Sequence, residues 1–388
     1  MNRTLATAPL YLGFAATGVG VALPGALLPA MLLRWHLQDE QAGRLFLLAW
    51  IGSSLGALLV RGSLRTALLF GSTAVALGAT GLGFCAGRGA DAWMALYGLG
   101  LGLTMTSISL ICQRQAGGSG TTLVRLNLLW AIGACACPSL TIRAQAVGDI
   151  RPVLCGLALC FALLATWTIF QSGLSIEVVA AKHAIPWTIF RNVPVGLIAM
   201  TMLITGIEAS AGGWLATYAR RGGHGIAEAV AAPSCFWAGL LLSRLFWSVC
   251  SRRLTHDRTV RGSVALMCGA SILLVLGGSG LLILIAAFCL GFGIGPTYPL
   301  LLAWALRFQR GGAIFFLAGV GSACLPWLTG FVSAERHSLR LGLAVPMIAT
   351  MMMVTMSLAL PLSLWSKQDS TMTDDDLRHA LQRQDAST

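Results

Sequence analysis

Glu208 is the one carboxylate set well inside a long apolar run, residues 195–219. Small residues surround it (Gly206, Ala209, Ser210, Ala211, Gly212 and Gly213), and Trp214 and Tyr218 follow within three turns of helix. A charged side chain at the centre of a hydrocarbon layer costs about 2.5–3.5 kcal/mol on insertion scales, so such an acid belongs in a bundle interior or a wet cavity. There it can take up and release a proton, or hold a sodium ion, as solvent access alternates; the plainer alternative is a hydrogen bond to a neighbouring helix. Arg244 is the matching basic residue deep in an apolar run. Its long stem can snorkel toward the membrane surface, which favours a gating or packing role, and an ion pair with Glu208 requires both to face one cavity. Aromatic residues recur in the same kind of segment: Trp130, Trp214, Tyr218, Trp237, Tyr298, Trp304 and Trp327. Rings of this type lie against the apolar face of a sugar-like solute while amides and hydroxyls take its polar groups. For any single ring, packing or an interfacial belt is the simpler role. The expected solute contacts are Trp214, Tyr218, Trp130 and Tyr298, with Asn127, Gln113 and Thr104 as polar partners; Ser107 and Thr297 are further hydroxyls in reach.

Other chemistries lack their parts. All six histidines (36, 183, 224, 256, 337 and 379) fall between or beyond the apolar runs. A hydrolase or transferase within the membrane needs paired acids, metal ligands or a nucleophile beside a histidine, and none is present there. The 11 cysteines sit mostly in apolar segments with no C-x-x-C pair, as small buried hydrophobes would. Gly98-x-Gly100-x-Gly102 and Gly291-x-Gly293-x-Gly295 follow no strand, so they are not nucleotide loops; they let helices approach closely. No cofactor and no metal are expected. The net charge of +12 does not signal nucleic acid, because the basic residues punctuate apolar runs instead of clustering.

These residues must be positioned by membrane helices. The chain is 56% hydrophobic and only 10% charged, against about 25% charged in soluble domains. A span needs roughly 20 apolar residues, and twelve segments qualify: 9–33, 41–60, 66–86, 92–112, 122–142, 152–171, 194–219, 229–250, 262–277, 281–306, 312–333 and 341–365. The first is too long for a signal-peptide core and is expected to be retained. A hydrophilic joint at 172–191, with Glu177, Lys182, His183 and Pro186, separates an N-terminal half (1–171) from a C-terminal half (192–365), and a polar tail (366–388) carries a short helix start at Thr373. The larger share of lysines and arginines falls on the side of the termini, which predicts cytoplasmic ends.

The halves repeat one another. Thr17-Gly18 matches Thr205-Gly206, Trp50-x-Gly52 matches Trp237-x-Gly239, the two glycine triplets match, and Gly133 with Pro138 matches Gly321 with Pro326, in the same order and at nearly one spacing. Parallel repeats of six spans predict two pseudo-symmetric bundles and a binding site between them near mid-depth. Pro138 and Pro326, with Pro24, Pro29, Pro296 and Pro299, mark kinks.

The chain resembles the major facilitator superfamily, in particular its fucose permease-like branch of sugar–proton symporters. The resemblance rests on Gly98–Gly102 with Thr104, on Asn127 to Gly133 with Pro138, on Glu208 to Tyr218, on Gly295-Pro296-Thr297-Tyr298-Pro299, and on Gly319 to Pro326 with Trp327 and Gly330. Two departures stand out. The loop 60–65 between the second and third spans has Arg61 and Arg65 but no acid, and the first and fourth spans lack the branch's acidic pair, with Gly18, Gly20 and Pro24 in the first. The resemblance implies an all-α polytopic membrane protein of 12 transmembrane helices (major facilitator fold). It further implies a monomeric secondary transporter in the plasma membrane (a bacterial inner membrane), importing a sugar or similar small polar solute with H+ or Na+ through Glu208. Arg244, the six glycines of the two triplets, Pro138 and Pro326 take gating or packing roles in that reading. Two rivals stay open: a proton-coupled exporter of drugs or amphiphiles on the same fold, and a sensor that moves nothing. The expected partners are the small-molecule solute, the coupling ion and the lipid bilayer, with no nucleic acid.

Overall fold

A computed structural model describes residues 3–85, 87, 89–115, 120–171, 174, 177–178, 194–222, 225–250, 255–308 and 312–359. The tail, the helix start at Thr373 and most of the joint 172–191 lie outside the described residues. Fourteen helices are described: α1 (Arg3–Trp35), α2 (Asp39–Leu58), α3 (Leu64–Phe84), α4 (Ala90–Gln115), α5 (Gly120–Leu140), α6 (Ile142–Val147), α7 (Arg151–Ile169), α8 (Val195–Arg221), α9 (Ile226–Cys250), α10 (His256–Leu276), α11 (Gly280–Phe308), α12 (Gly312–Glu335), α13 (Leu339–Gly342) and α14 (Ala344–Ala359). Two-residue strands β1 (Gly62–Ser63) and β2 (Glu177–Val178) pair antiparallel. Among the described residues, eleven spans are long and apolar enough to cross a membrane. The protein is an all-α polytopic membrane protein.

The expected spans need three adjustments. The second, α2, is as long as a span but less apolar than the eleven, with Asp39, Glu40 and Arg44 in its first turns. Those acids suit a helix N-terminus, where unpaired N–H groups attract negative charge, and Gln41 Oε1 accepts the Gln38 N–H at 2.9 Å. The fifth span continues past a break at Thr141, whose hydroxyl donates to Pro138 O at 2.7 Å, into α6. The Thr141 N–H turns to Pro138 O at 3.0 Å, three residues back instead of four, and the chain resets. The twelfth span is likewise interrupted at Leu343, between α13 and α14.

The outer surface is apolar: Leu12, Leu33, Phe70, Leu77, Leu159, Leu163, Leu281 and Leu358 are all exposed. In water such a belt would be a liability; against lipid chains it costs nothing, while every helix satisfies its own backbone. Helix ends receive arginines. Arg65 donates to Thr168 O (3.1 Å) and to Ile169 O, capping α7, and Arg340 donates to Val275 O and Leu276 O, capping α10. Both place a cation at the negative end of a helix and occupy its orphan carbonyls.

α1–α7 pack among themselves through α1–α5, α2–α4, α3–α4 and α3–α7; α8–α14 do so through α8–α12, α9–α11, α10–α11 and α10–α14. The second set is the first repeated, and glycines mark the equivalent crossings. A Cβ on Gly98 would lie 2.0 Å from Ala49 O, and one on Gly291 would lie 2.0 Å from Phe236 O. A Cβ on Gly133 would meet Ala15 O at 2.1 Å, and one on Gly321 would meet Met202 O at 2.0 Å. Only a residue without a side chain permits that approach. The two groups meet along α2–α12, α5–α9 and α1–α8, and that seam holds the cavity described next.

Candidate functional site

A cavity of about 370 Å³ lies in the seam, walled by α1, α2, α4 and α5 on one side and by α8, α9, α11 and α12 on the other. Glu208 lines it from the middle of α8, and Arg244 from α9 and Tyr298 from α11 line it as well. The three groups are close enough to act on one another's charge. Among the described residues, however, Glu208 and Arg244 form no ion pair and neither donates nor accepts a hydrogen bond with a protein group. Both therefore face open space between the halves.

Arg244 is held from behind. Its guanidinium carbon lies 5.8 Å from the centroid of the Trp130 ring, a cation–π contact, and its Nε is buried without a partner. Trp130 in turn meets Trp237 edge to face, with centroids 5.6 Å apart and planes at 83°. These aromatic contacts restrict where the guanidinium can swing. Asn127, one turn before Trp130 on α5, shares its face and lines the cavity. The arginine is thus brought into the cavity itself and does not snorkel to the surface.

Of the seven expected solute contacts, Asn127, Trp130 and Tyr298 line the cavity; Trp214, Tyr218, Thr104 and Gln113 do not. Trp214 is wholly buried. Its Nε1 donates to Pro326 O at 3.0 Å and its ring meets Phe46 edge to face at 5.7 Å. Helical geometry explains why: at about 100° per residue, six residues after Glu208 carry the Trp214 side chain roughly 120° around the helix from the carboxylate, on the side away from the cavity-lining arc. Thr205, Ala209, Gly212 and Gly213 fall on that face instead and line the cavity. Tyr218, farther along, donates its hydroxyl to Leu274 O of α10. Thr104 is buried on the α3–α4 contact, where a Cβ on Gly71 would lie 2.7 Å from its Oγ1. Gln113 sits in the last turn of α4.

The remaining singled-out residues divide between cavity wall and helix contact. Gly98 and Gly102 do both, since they line the cavity while packing on α2. Gly100 packs on α3 and Gly293 on α10, while Gly291 and Gly295 pack on α9. Pro138 lies in the last turn of α5, and Pro326 supplies the carbonyl that holds Trp214.

Several polar groups were not singled out in the sequence. Tyr97 lines the cavity and donates to Gly20 O at 2.7 Å, and Ser53, Ser54, Thr106 and Ser322 add hydroxyls to the walls. Beyond the Trp214–Phe46 contact, toward the end of the bundle that carries the α1–α2 connection, Asp39 joins three helices. Arg221 of α8 grips its carboxylate with both nitrogens at 2.6 and 2.7 Å, and Ser333 of α12 donates to it at 2.5 Å. Asp39 is buried and Arg221 half-exposed, so the cluster closes this end of the seam. Gly330 tightens it, because a Cβ there would lie 2.5 Å from Asp39 O. Acids near a helix start and arginines near a helix end have ordinary local explanations, which is why sequence alone does not pair them.

The sequence matches no protein-family model and no curated protein. Solved structures do match. A D-xylose–proton symporter superposes with a TM-score of 0.71 at 13% identity, over 93% of this chain and 97% of that one. The nucleoside transporter NupG gives 0.71 at 14% identity, over 94% and 100%. A POT family transporter bound to a thioalcohol-conjugated peptide gives 0.72 at 12%, over 94% and 96%. The chain has the major facilitator fold. At these identities the match concerns the fold over nearly the full length of each chain, and the major facilitator architecture accounts for the two helix groups, the seam and the position of the cavity.

Proposed function

We propose that this protein is a secondary active transporter that works by alternating access, carrying a small polar solute in the seam between residues 1–171 and 192–365, with Glu208 as the proton or sodium site. The observation that carries the reading is an acid and a base that share one mid-membrane cavity, unpaired, between two repeated helix groups. A structural ion pair would have closed; this one leaves room for a solute. The transporters that share the fold support movement of a solute as such: their substrates are a sugar, nucleosides and peptides. We place the protein in the plasma membrane with both termini cytoplasmic, following the distribution of Lys and Arg, and read it as a monomer. The test is solute flux into proteoliposomes under an imposed pH or sodium gradient. Glu208→Gln should abolish gradient-driven uptake while leaving exchange at equal gradients measurable. Normal uptake by Glu208→Gln, with unchanged response to the gradient, refutes Glu208 as the coupling site.

An exporter of amphiphiles is the second reading, favoured by Phe46, Trp50, Leu101 and Met105 in the cavity wall. Efflux of a lipophilic cation from loaded vesicles distinguishes the two.

A further inference from the structure

We infer that the solute carries one carboxylate group, that Arg244 and Tyr298 form its binding subsite, and that Glu208 takes up one proton as this anion enters. The inference rests on the transport reading above and names the class of its solute.

Two observations carry it. The first is the state of Arg244. A guanidinium offers five N–H donors in a rigid fork suited to a carboxylate. Here the fork is backed by Trp130, faces the cavity and makes no protein hydrogen bond among the described residues. Tyr298 lines the same wall within electrostatic reach of both charges, which puts a second hydrogen-bond donor on the side of the cavity that holds Arg244. An arginine kept for packing would be expected to close onto Glu208 or onto helix carbonyls, as Arg65 and Arg340 do.

The second is charge balance. The ionisable groups that line the cavity are Glu208 from α8, Arg244 from α9, Tyr298 from α11 and Tyr97 from α4; α1, α2, α5 and α12 present none among the described residues. When empty, the cavity holds one negative and one positive charge. A carboxylate solute adds a second negative charge, and a proton from the medium, forming an O–H bond on Glu208, restores neutrality. On the far side the proton and the anion leave together. An uncharged sugar carried with a proton would instead leave Arg244 without a counter-charge in a low-dielectric seam, a costly state. The same pair of residues therefore suits an acid moved with one proton and disfavours a neutral solute moved with one.

The experiment uses the full-length protein and three matched pairs of probes: glucose and glucuronate, ribose and ribonate, glycerol and glycerate. Binding is read by thermal shift, and flux of the radiolabelled probes is read in proteoliposomes. At least one carboxylate should raise the melting temperature where its neutral twin does not. Arg244→Gln should weaken that binding by about tenfold or more, the loss expected when charge-assisted hydrogen bonds are removed. Arg244→Lys, which keeps the charge and loses the fork, should fall between, and Tyr298→Phe should give a smaller loss. The double variant Glu208→Gln/Arg244→Gln, neutral by construction, guards against a fold defect: it should keep the unliganded melting temperature and still fail to bind the acid. Carboxylate flux should follow an acid-outside pH gradient and ignore an imposed membrane potential. Binding of neutral probes alone, binding of no probe, or undiminished acid binding by Arg244→Gln overturns the inference. Glu208-dependent flux of a neutral probe would overturn it and leave the transport reading standing. An acid that binds through Arg244 yet is never moved would keep the subsite and refute transport.

Discussion

Glu208, Arg244 and Trp214 illustrate how differently three residues in the same apolar surroundings are used. The acid and the base line one cavity, while the tryptophan fills solid protein. That contrast predicts distinct mutant behaviour. Trp214→Ala should destabilise the folded protein by about 3–5 kcal/mol, the usual cost of deleting a buried large aromatic, and should lower the melting temperature with or without solute. Glu208→Gln, which leaves Arg244 without its counter-charge, should lower the melting temperature by less than Trp214→Ala does and should flatten the pH dependence of uptake. In the unaltered protein, the proposed protonation of Glu208 on loading predicts that uptake rises as the outer medium is made more acidic; initial rates between mildly acidic and mildly alkaline pH check the sign. Glu208 and Arg244 stand out in the sequence because hydrocarbon tolerates so few charges. Trp214, Tyr218 and Thr104 fall outside the cavity because proximity in the chain says nothing of which way around the helix a side chain points.

At the level of helices, hydropathy locates the spans, and glycine spacing locates their crossings. Both signals are local, so both survive in the sequence. The break at Leu343 does not, since a run can stay apolar while its backbone hydrogen bonding is interrupted, and the one at Thr141 is marked only by Pro138 three residues before it. The glycine crossings make a sharp prediction. Gly291→Val would drive a side chain into Phe236 O, and Gly98→Val into Ala49 O. Each should abolish transport and reduce the yield of monodisperse protein, whereas Gly156→Val, with nothing within 4 Å of its added Cβ, should behave as the unaltered protein. Size-exclusion profiles of the three variants decide this.

For the whole molecule, the paired helix groups and the cavity between them are foreshadowed by the internal repeat, but the tie between Asp39, Arg221 and Ser333 is not. Its members come from α2, α8 and α12, far apart in the chain and brought together only once the seam has formed. Breaking it should free the end it closes: Asp39→Asn takes the charge out of the bonds from Arg221 and Ser333, worth about 1.5–3 kcal/mol each at most and less where Arg221 reaches water. A cysteine placed at Phe46 should then react faster with a water-soluble maleimide added from the α1–α2 side, and unchanged labelling would show the tie to be incidental.

Because Arg221 keeps nearly half its surface in water, dissolved salt has direct access to this clasp. Counter-ions weaken exposed charge pairs, so the ionic strength of the compartment facing Asp39 becomes a dial on how readily that mouth opens. A carrier built this way would cycle at different speeds in brackish and in fresh surroundings without any change in its cargo site.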